Sequence, residues 1–364
     1  MRRFNRFYPR CAYTETKNVL AFLSCVICVL SLLSSGFLSR SSAQDIPDDL
    51  PFHFMVFGDT PYRMNQVPRV RQMIQGMNNE QPSFSVHIGD IAHPGEKNSE
   101  RLTCSDKDYQ LVFELFSKID HPLFYTPGDN EWVDCGRDQD YPYPATERLK
   151  KLRSLFYPPS VFSPVPSSFA WVSQSERPDY SLYKENQRWH VGPITFAMLH
   201  IVGTHNNLQE AGDNLNEFEA RNAANMMWLN ETFNEAIAKK REGVVLFFHA
   251  DPMFEAYPRD RFGFNPFIAE LTRHAKRYKG KILLIHGDSH RFRVDYPLRD
   301  EKTGHLLPNV TRVIVFGDPD QYLTHVTVQP HHEPLFVIEP FMTPHSTLPP
   351  VTVAPRSVPL PKAP

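Results

Sequence analysis

The sequence predicts an α/β fold built on parallel strands, and three observations carry that reading. Apolar runs alternate with stretches of helical period from residue 52 to about residue 126, the order that places crossover helices between parallel strands. Four apolar runs stop at the same dipeptide, as Gly58-Asp59, Gly89-Asp90, Gly128-Asp129 and Gly287-Asp288. A strand ending in Gly turns sharply and leaves the next carboxylate at the carboxyl edge of a sheet. Lastly, roughly 320 residues follow an N-terminal leader, enough to bury the core of one large domain.

Residues 1–43 read as that leader. Arg2, Arg3, Arg6, Arg10 and Lys17 precede the apolar run Val19 to Leu33, and Ser41-Ser42-Ala43 offers small residues for cleavage. A rival reading is an uncleaved membrane anchor, although the apolar run is short for a span. Expected localisation is therefore outside the cytoplasm, periplasmic or secreted, with membrane contact only if the leader stays.

The strands and helices then follow in order. Strands are predicted near 52–57, 83–88 and 123–126, with helices near 66–78 and 107–118 between them and a further helix near 145–156. The stretch 158–193, rich in Pro, Ser and aromatics, reads as loops with short strands that form a rim over the site. A strand at 194–202 leads into the longest helix, Glu217 to Lys240, whose apolar positions include Ala223, Met227 and Leu229. Strand 244–248, a helix within 266–278 and strand 281–285 come next. From Phe292 only strands are expected, clearest at 312–316 and 323–328, and these late antiparallel strands should extend a second sheet. The domain is expected over 44–340, and residues 341–364, dominated by Pro, Thr and Ser, should be disordered.

Charge and cysteines narrow the function. The leader holds six Lys/Arg and one Glu, which leaves 33 basic against 40 acidic side chains, a formal −7. That sign argues against a nucleic-acid-binding surface, which would need a basic stripe. Cys104 and Cys135 are the two cysteines outside the leader. In an exported protein a pair suggests one disulfide, the alternative being two free thiols. The four strand-end carboxylates, with His249 in Phe248-His249 and His290 two residues after Asp288, are the parts of a metal site built from carboxylates and imidazoles.

The motifs Gly58-Asp59, Gly89-Asp90, Gly128-Asp129-Asn130-Glu131, His249 and Gly287-Asp288-Ser289-His290 resemble, in order and spacing, those of the calcineurin-like metallophosphoesterase family, purple acid phosphatases included. The resemblance covers roughly residues 52–330 and implies a two-sheet αββα sandwich with two metals at the carboxyl ends of its strands. It implies that Asp90 bridges the metals, that Asp59, His290 and His93 complete one site, and that Asp129, His249 and Asp288 complete the other. Three positions depart from the family pattern. Pro61 stands where many members have a His ligand; His93 fills the vacancy in this reading, with Tyr62 as its rival. Asp129 and Asn130 stand for the family's Asn-His, and Asn130 has no proton to give near neutral pH, so His205 in Gly203-Thr204-His205-Asn206-Asn207 is the candidate substitute. Asp288 replaces the first His of the last motif and is still a competent ligand.

The implied function is an exported hydrolase that cleaves a small phosphate ester with a hydroxide held between two divalent metals. Carboxylates at Asp129 and Asp288 favour Mn²⁺, with Fe, Mg²⁺ or Zn²⁺ as other candidates. Alternatives are a phosphodiesterase acting on nucleotide or lipid head groups, and a metal- or ligand-binding module that keeps the scaffold without turnover. No Gly-x-Ser-x-Gly elbow or Gly-rich phosphate loop points elsewhere.

Overall fold

The computed structural model describes residues 49–137, 142–208, 213–300 and 302–342, with side chains omitted at 213 and 214. The leader, and the tail beyond 342, lie outside the described residues. Among those described, no helix is long and apolar enough to cross a membrane.

Two sheets stack face to face with helices outside each. In the first sheet, β1 (Phe52–Phe57), β2 (Ser85–His87) and β3 (Leu123–Tyr125) run parallel, joined by helices α1 (Val67–Glu80) and α2 (Asp106–Phe116), with α3 (Ala145–Leu155) following. In the second, β6 (Ile194–Met198), β7 (Gly243–Phe247), β8 (Lys281–His286) and β10 (Val310–Ile314) are parallel neighbours, crossed over by α4 (Asp213–Ala238) and α5 (Asn265–Arg277). This is the αββα sandwich.

The period of two in each strand sorts its side chains. In β1, Phe54 and Val56 enter the layer between the sheets, whereas Met55 and Phe57 face α1 and α2. In β7, Val245 and Phe247 point inward while Val244 and Leu246 meet α4 and α5. The inner layer is largely aromatic; Phe124 and Trp189 stack with centroids 3.7 Å apart, and Phe54 lies edge-on to Phe196 and Phe247. Strands buried on both faces read as continuous apolar runs, which is why they were legible.

The late strands divide differently from the expectation. β10 does join the second sheet, but parallel to β8, and β9 (Arg293–Asp295) closes its edge antiparallel. β11 (Leu323–Val328) and β12 (Phe336–Phe341) belong to the first sheet, where β11 pairs antiparallel with β1 from Phe52↔Val328 to Val56↔Thr324. β11 thereby covers the edge β1 would otherwise expose and places Val326 and Val328 in the inner core. The 158–193 stretch is also corrected. Its strands β4 (Val172–Ser173) and β5 (Gln187–Val191) extend the second sheet, and its Phe169 and Trp189 are buried between the sheets because burying those aromatics outweighs a place on a rim.

Cys104 and Cys135 form a disulfide with Cα atoms 5.8 Å apart, closing a separation of 31 residues that contains β3 and Gly128-Asp129. Cys104 precedes Ser105, whose Oγ accepts from Asp108 N–H at 3.2 Å and caps α2. Constraining a loop of that length in the unfolded chain contributes about 4 kcal/mol. Replacing both cysteines by Ala should therefore lower the unfolding free energy in urea by about 4 kcal/mol. Reduction of the unmodified protein should reproduce the shift, and a midpoint insensitive to reductant would show that the bond contributes nothing.

Candidate metal centre

Five strand ends deliver the site. β1, β2 and β3 end in the loops that carry Asp59, Asp90 and Asp129, while β7 and β8 of the facing sheet end at His249 and at Asp288 with His290. Glycines let these loops crowd together. A Cβ on Gly128 would sit 2.0 Å from Asp90 Oδ1, and one on Gly287 would sit 2.4 Å from Asp59 Oδ2. The backbone also carries strain there: Asp59, Asp90, Asp288 and His290 have φ of 52°, 63°, 69° and 56°. Such left-handed residues persist where surrounding contacts hold them. Asp59 N–H donates to Gly89 O at 2.9 Å within the first sheet, and Asp288 N–H donates to Asp59 Oδ1 at 3.1 Å, which ties the two sheets together at the site.

His249 is fully buried at the centre. Its Nδ1 lies 2.9 Å from Ile88 O, so Nδ1 carries a proton and Nε2 faces the site, where a cation would take its lone pair in place of a second proton. Around Nε2 stand Asp129 Oδ1 at 3.1 Å, Asp90 Oδ1 at 3.3 Å and Asp288 Oδ1 at 3.9 Å. His290 is held the same way, with Nδ1 2.9 Å from Asp318 O and Nε2 3.4 Å from Asp59 Oδ1. Ligand atoms of Asp59, Asp90 and His249 lie within 4.8 Å of one another, as do those of Asp129, His249 and Asp288.

These residues fit a pair of cations. Asp59 Oδ2 is buried with no hydrogen-bond partner, and Asp129 Oδ1 and His249 Nε2, 3.1 Å apart, find none beyond each other; buried polar atoms left so are costly unless something else satisfies them. Electrostatics agree. Burial and the charge of Asp129 push Asp90 well above the usual carboxylate range, and burial with Asp129 raises Asp288 to about 6. Burial alone would lower His249, but Asp90, Asp129 and Asp288 hold it well above its usual value. The cluster therefore retains protons that divalent cations would displace.

Of the residues singled out from sequence, Asp59, Asp90, Asp129, His249, Asp288 and His290 converge. His93 lies outside both ligand groups. It is half-exposed, with its Nδ1 3.6 Å from Glu96 and its ring centroid 5.0 Å from that of Tyr62. Tyr62 reaches the cluster: its buried hydroxyl donates to Asp90 Oδ2 at 2.8 Å and lies 3.1 Å from His290 Nε2. Asn130 touches the site through its backbone, whose N–H donates to Asp90 Oδ1 at 3.1 Å. Glu131 does not face the ligands; buried, it accepts from Gly128 N–H at 2.6 Å, Asp90 N–H at 3.1 Å and the Tyr125 hydroxyl at 2.7 Å, fixing the loops from below.

His205 sits on a turn beside the cluster. Exposed, it stacks on Phe262 at 4.5 Å and, with Thr204, Asp251, Met253, Phe264, Asp288 and Ser289, lines a cavity of roughly 370 Å³. Sequence reading missed Thr204, whose hydroxyl donates to Asp129 Oδ2 at 2.8 Å, and Asp251, which takes the Ser289 hydroxyl at 2.9 Å while its N–H donates to Asp288 Oδ2 at 3.1 Å. Thr204 adjoins His205 and Asp251 lies two residues after His249, so nearness in sequence was the available signal.

Since a methyl group on Gly128 would displace Asp90, Gly128→Ala should cost more than about a hundredfold in hydrolysis, the scale on which misplacement by an ångström acts. Metal content should fall with it. Full activity in the Ala variant would mean that the Asp90 carboxylate is not placed by this close approach.

The sequence model described as calcineurin-like phosphoesterase matches residues 52–292. Among solved structures, a dimetal phosphatase from Danio rerio aligns with a TM-score of 0.49 at 12% identity, covering 79% of this chain and 95% of its own. PhoD aligns with a TM-score of 0.49 at 13% identity, covering 82% and 69%. GAP50, described as the anchor in the inner membrane complex of Plasmodium, gives 0.44 at 12%, covering 79% and 88%. No curated protein matches the chain. The matched region, reaching from β1 past His290, shows that the chain belongs to the calcineurin-like phosphoesterase family, hydrolases of phosphate ester bonds.

Proposed function

We propose that this protein is an exported phosphoesterase that holds two divalent cations, one on each side of Asp90. The observation that carries the reading is the orientation of that carboxylate: Oδ2 meets the Tyr62 hydroxyl beside His290 and Asp59, while Oδ1 faces His249 beside Asp129 and Asp288. Asp59, His290 and Tyr62 then complete one site, and Asp129, His249 and Asp288 the other. Burial and the Asp90 charge hold the Tyr62 phenol well above its usual value, so without a cation it is a neutral donor. Bound there, the cations would acidify a water and neutralise phosphate oxygens.

The chain's own residues do the rest. Asn130 offers an amide to orient a phosphate oxygen, and His205, which lines the same cavity as Asp288, would give a proton to the leaving-group oxygen. Export is supported by the basic-then-apolar leader and by the Cys104–Cys135 disulfide, which belongs to an oxidising compartment. A diester substrate is the second reading, separated from the first by the ratio of aryl monoester to diester turnover.

Asp90→Asn should leave a folded protein with less than two metals per chain. Turnover should drop by more than about a hundredfold, because even partners one bond removed from a metal cost 10–100-fold. A variant that keeps both metals and near-normal turnover refutes the bridging role.

Metal preference follows from Asp129 and Asp288, which add hard, anionic oxygens to the second site. Apo-protein reconstituted with Mn²⁺ should turn over faster than with Zn²⁺, and Asp288→His should narrow the gap. Faster turnover with Zn²⁺, or an unchanged ranking in the variant, would remove Asp288 from the ligand set.

A further inference from the structure

The turn that carries Thr204 and His205 has an unusual backbone. Thr204, His205, Asn206 and Asn207 have φ of 52°, 55°, 58° and 58°, four consecutive non-glycine residues in the left-handed region. Each is unfavourable for an L side chain, Asn least so, and single left-handed residues are the norm. Something must hold this turn against relaxation to ordinary dihedrals.

The grip comes from below, through Arg221 on α4. Its side chain is fully buried, and all five N–H donors of the guanidinium are spent. Nε donates to Glu217 Oε1 at 2.6 Å and Nη2 to Glu217 Oε2 at 3.1 Å. Nη2 also donates to Asn206 O at 2.9 Å, while Nη1 donates to Asn206 Oδ1 at 2.6 Å and to His200 O at 2.9 Å. Glu217 in turn accepts from Asn207 Nδ2 at 2.8 Å, and Asn206 Nδ2 donates to Gly263 O at 3.3 Å. The guanidinium also lies 5.6 Å from the ring of Trp132, the residue after Glu131. Buried there, Arg221 has no access to substrate and none of its bonds goes to a metal-facing carboxylate.

The crowding around the turn shows that its place is fixed. A Cβ on Gly263 would sit 1.8 Å from His205 O, and one on Gly203 would sit 2.6 Å from both Asp129 carboxylate oxygens. The upper face of the turn thus meets the metal-facing Asp129 through Thr204 and opens His205 to the cavity, while the lower face is bonded to one arginine.

Resting on the reading of His205 as proton donor, we propose that Arg221 is a positioning residue, locking the left-handed turn so that His205 faces the leaving group. Lysine cannot stand in: it has three donors on a flexible stem and no planar fork that would hold the Asn206 carbonyl, the Asn206 side chain and Glu217 together.

The test compares leaving groups. An alkyl phosphate expels an alkoxide that needs protonation, whereas p-nitrophenolate leaves unaided. His205→Asn should lower kcat on an alkyl phosphate on the order of 10²-fold and on p-nitrophenyl phosphate far less. Arg221→Lys should lower the alkyl-to-aryl ratio of kcat by at least about tenfold, as expected for a displaced acid. Adding His205→Asn to it should lower the ratio no further than His205→Asn alone, because both changes remove one function. Asn207→Gly, which drops only the bond to Glu217 and tolerates positive φ, should act in the same direction and serves if Arg221→Lys does not fold. If His205→Asn leaves the ratio unchanged, the acid assignment itself is wrong and the inference falls with it. If His205→Asn lowers the ratio but the Arg221 and Asn207 variants lower both substrates equally or neither, His205 stands as the acid and Arg221 is structural only.

Discussion

The structure depends on holding like charges close together. Asp90, Asp129 and Asp288 converge on the single Nε2 of His249, and Asp59 stands against His290 a few ångströms away. Carboxylates at such spacing repel one another, and burial strengthens the repulsion. The fold opposes it with fixed hydrogen bonds, and two cations would replace it with attraction. The glycine at each strand end and the strained φ values at Asp59, Asp90 and Asp288 follow from this demand.

Two layers of support keep the ligands in place. Beneath the first sheet's loops, buried Glu131 gathers Asp90 N–H, Gly128 N–H and Tyr125, and the disulfide at Cys135 pins the segment that follows. Backbone carbonyls fix both histidines, Ile88 for His249 and Asp318 for His290, so that each turns Nε2 to the centre. On the other flank, the Arg221 network carries the turn with Thr204 and His205. The site is thus built on strand ends and backed by buried polar groups, the arrangement that preorganised chemistry requires.

Much of this was legible in the sequence because strand-end grammar is local. A buried parallel strand is a continuous apolar run, and Gly-Asp at its end marks both the turn and the carboxylate, so four strand ends with their carboxylates, and His249 and His290 beside them, could be read directly. What failed was long-range. Nothing local in Leu323–Val328 says which sheet it joins, since either edge would satisfy its backbone and its alternating Val residues. The positions of His93 and Tyr62 depend on loop geometry that no local pattern encodes: Tyr62 reaches Asp90 while His93 packs behind it against Glu96. Arg221 was invisible for a similar reason. A basic residue four positions after Glu217 on a helix reads as a solvated i,i+4 pair, and only the fold shows it buried beneath a left-handed turn.

The central claim is that Asp90 lies between two cations, and anomalous diffraction from crystals of the protein loaded with Mn²⁺ tests it most directly. The account predicts two peaks about 3.5–4 Å apart on either side of the Asp90 carboxylate. One should be within bonding distance of Asp59, His290 and the Tyr62 oxygen, the other of Asp129, His249 and Asp288. A single peak, or a first-site metal bound by His93 with Tyr62 turned away, would contradict it.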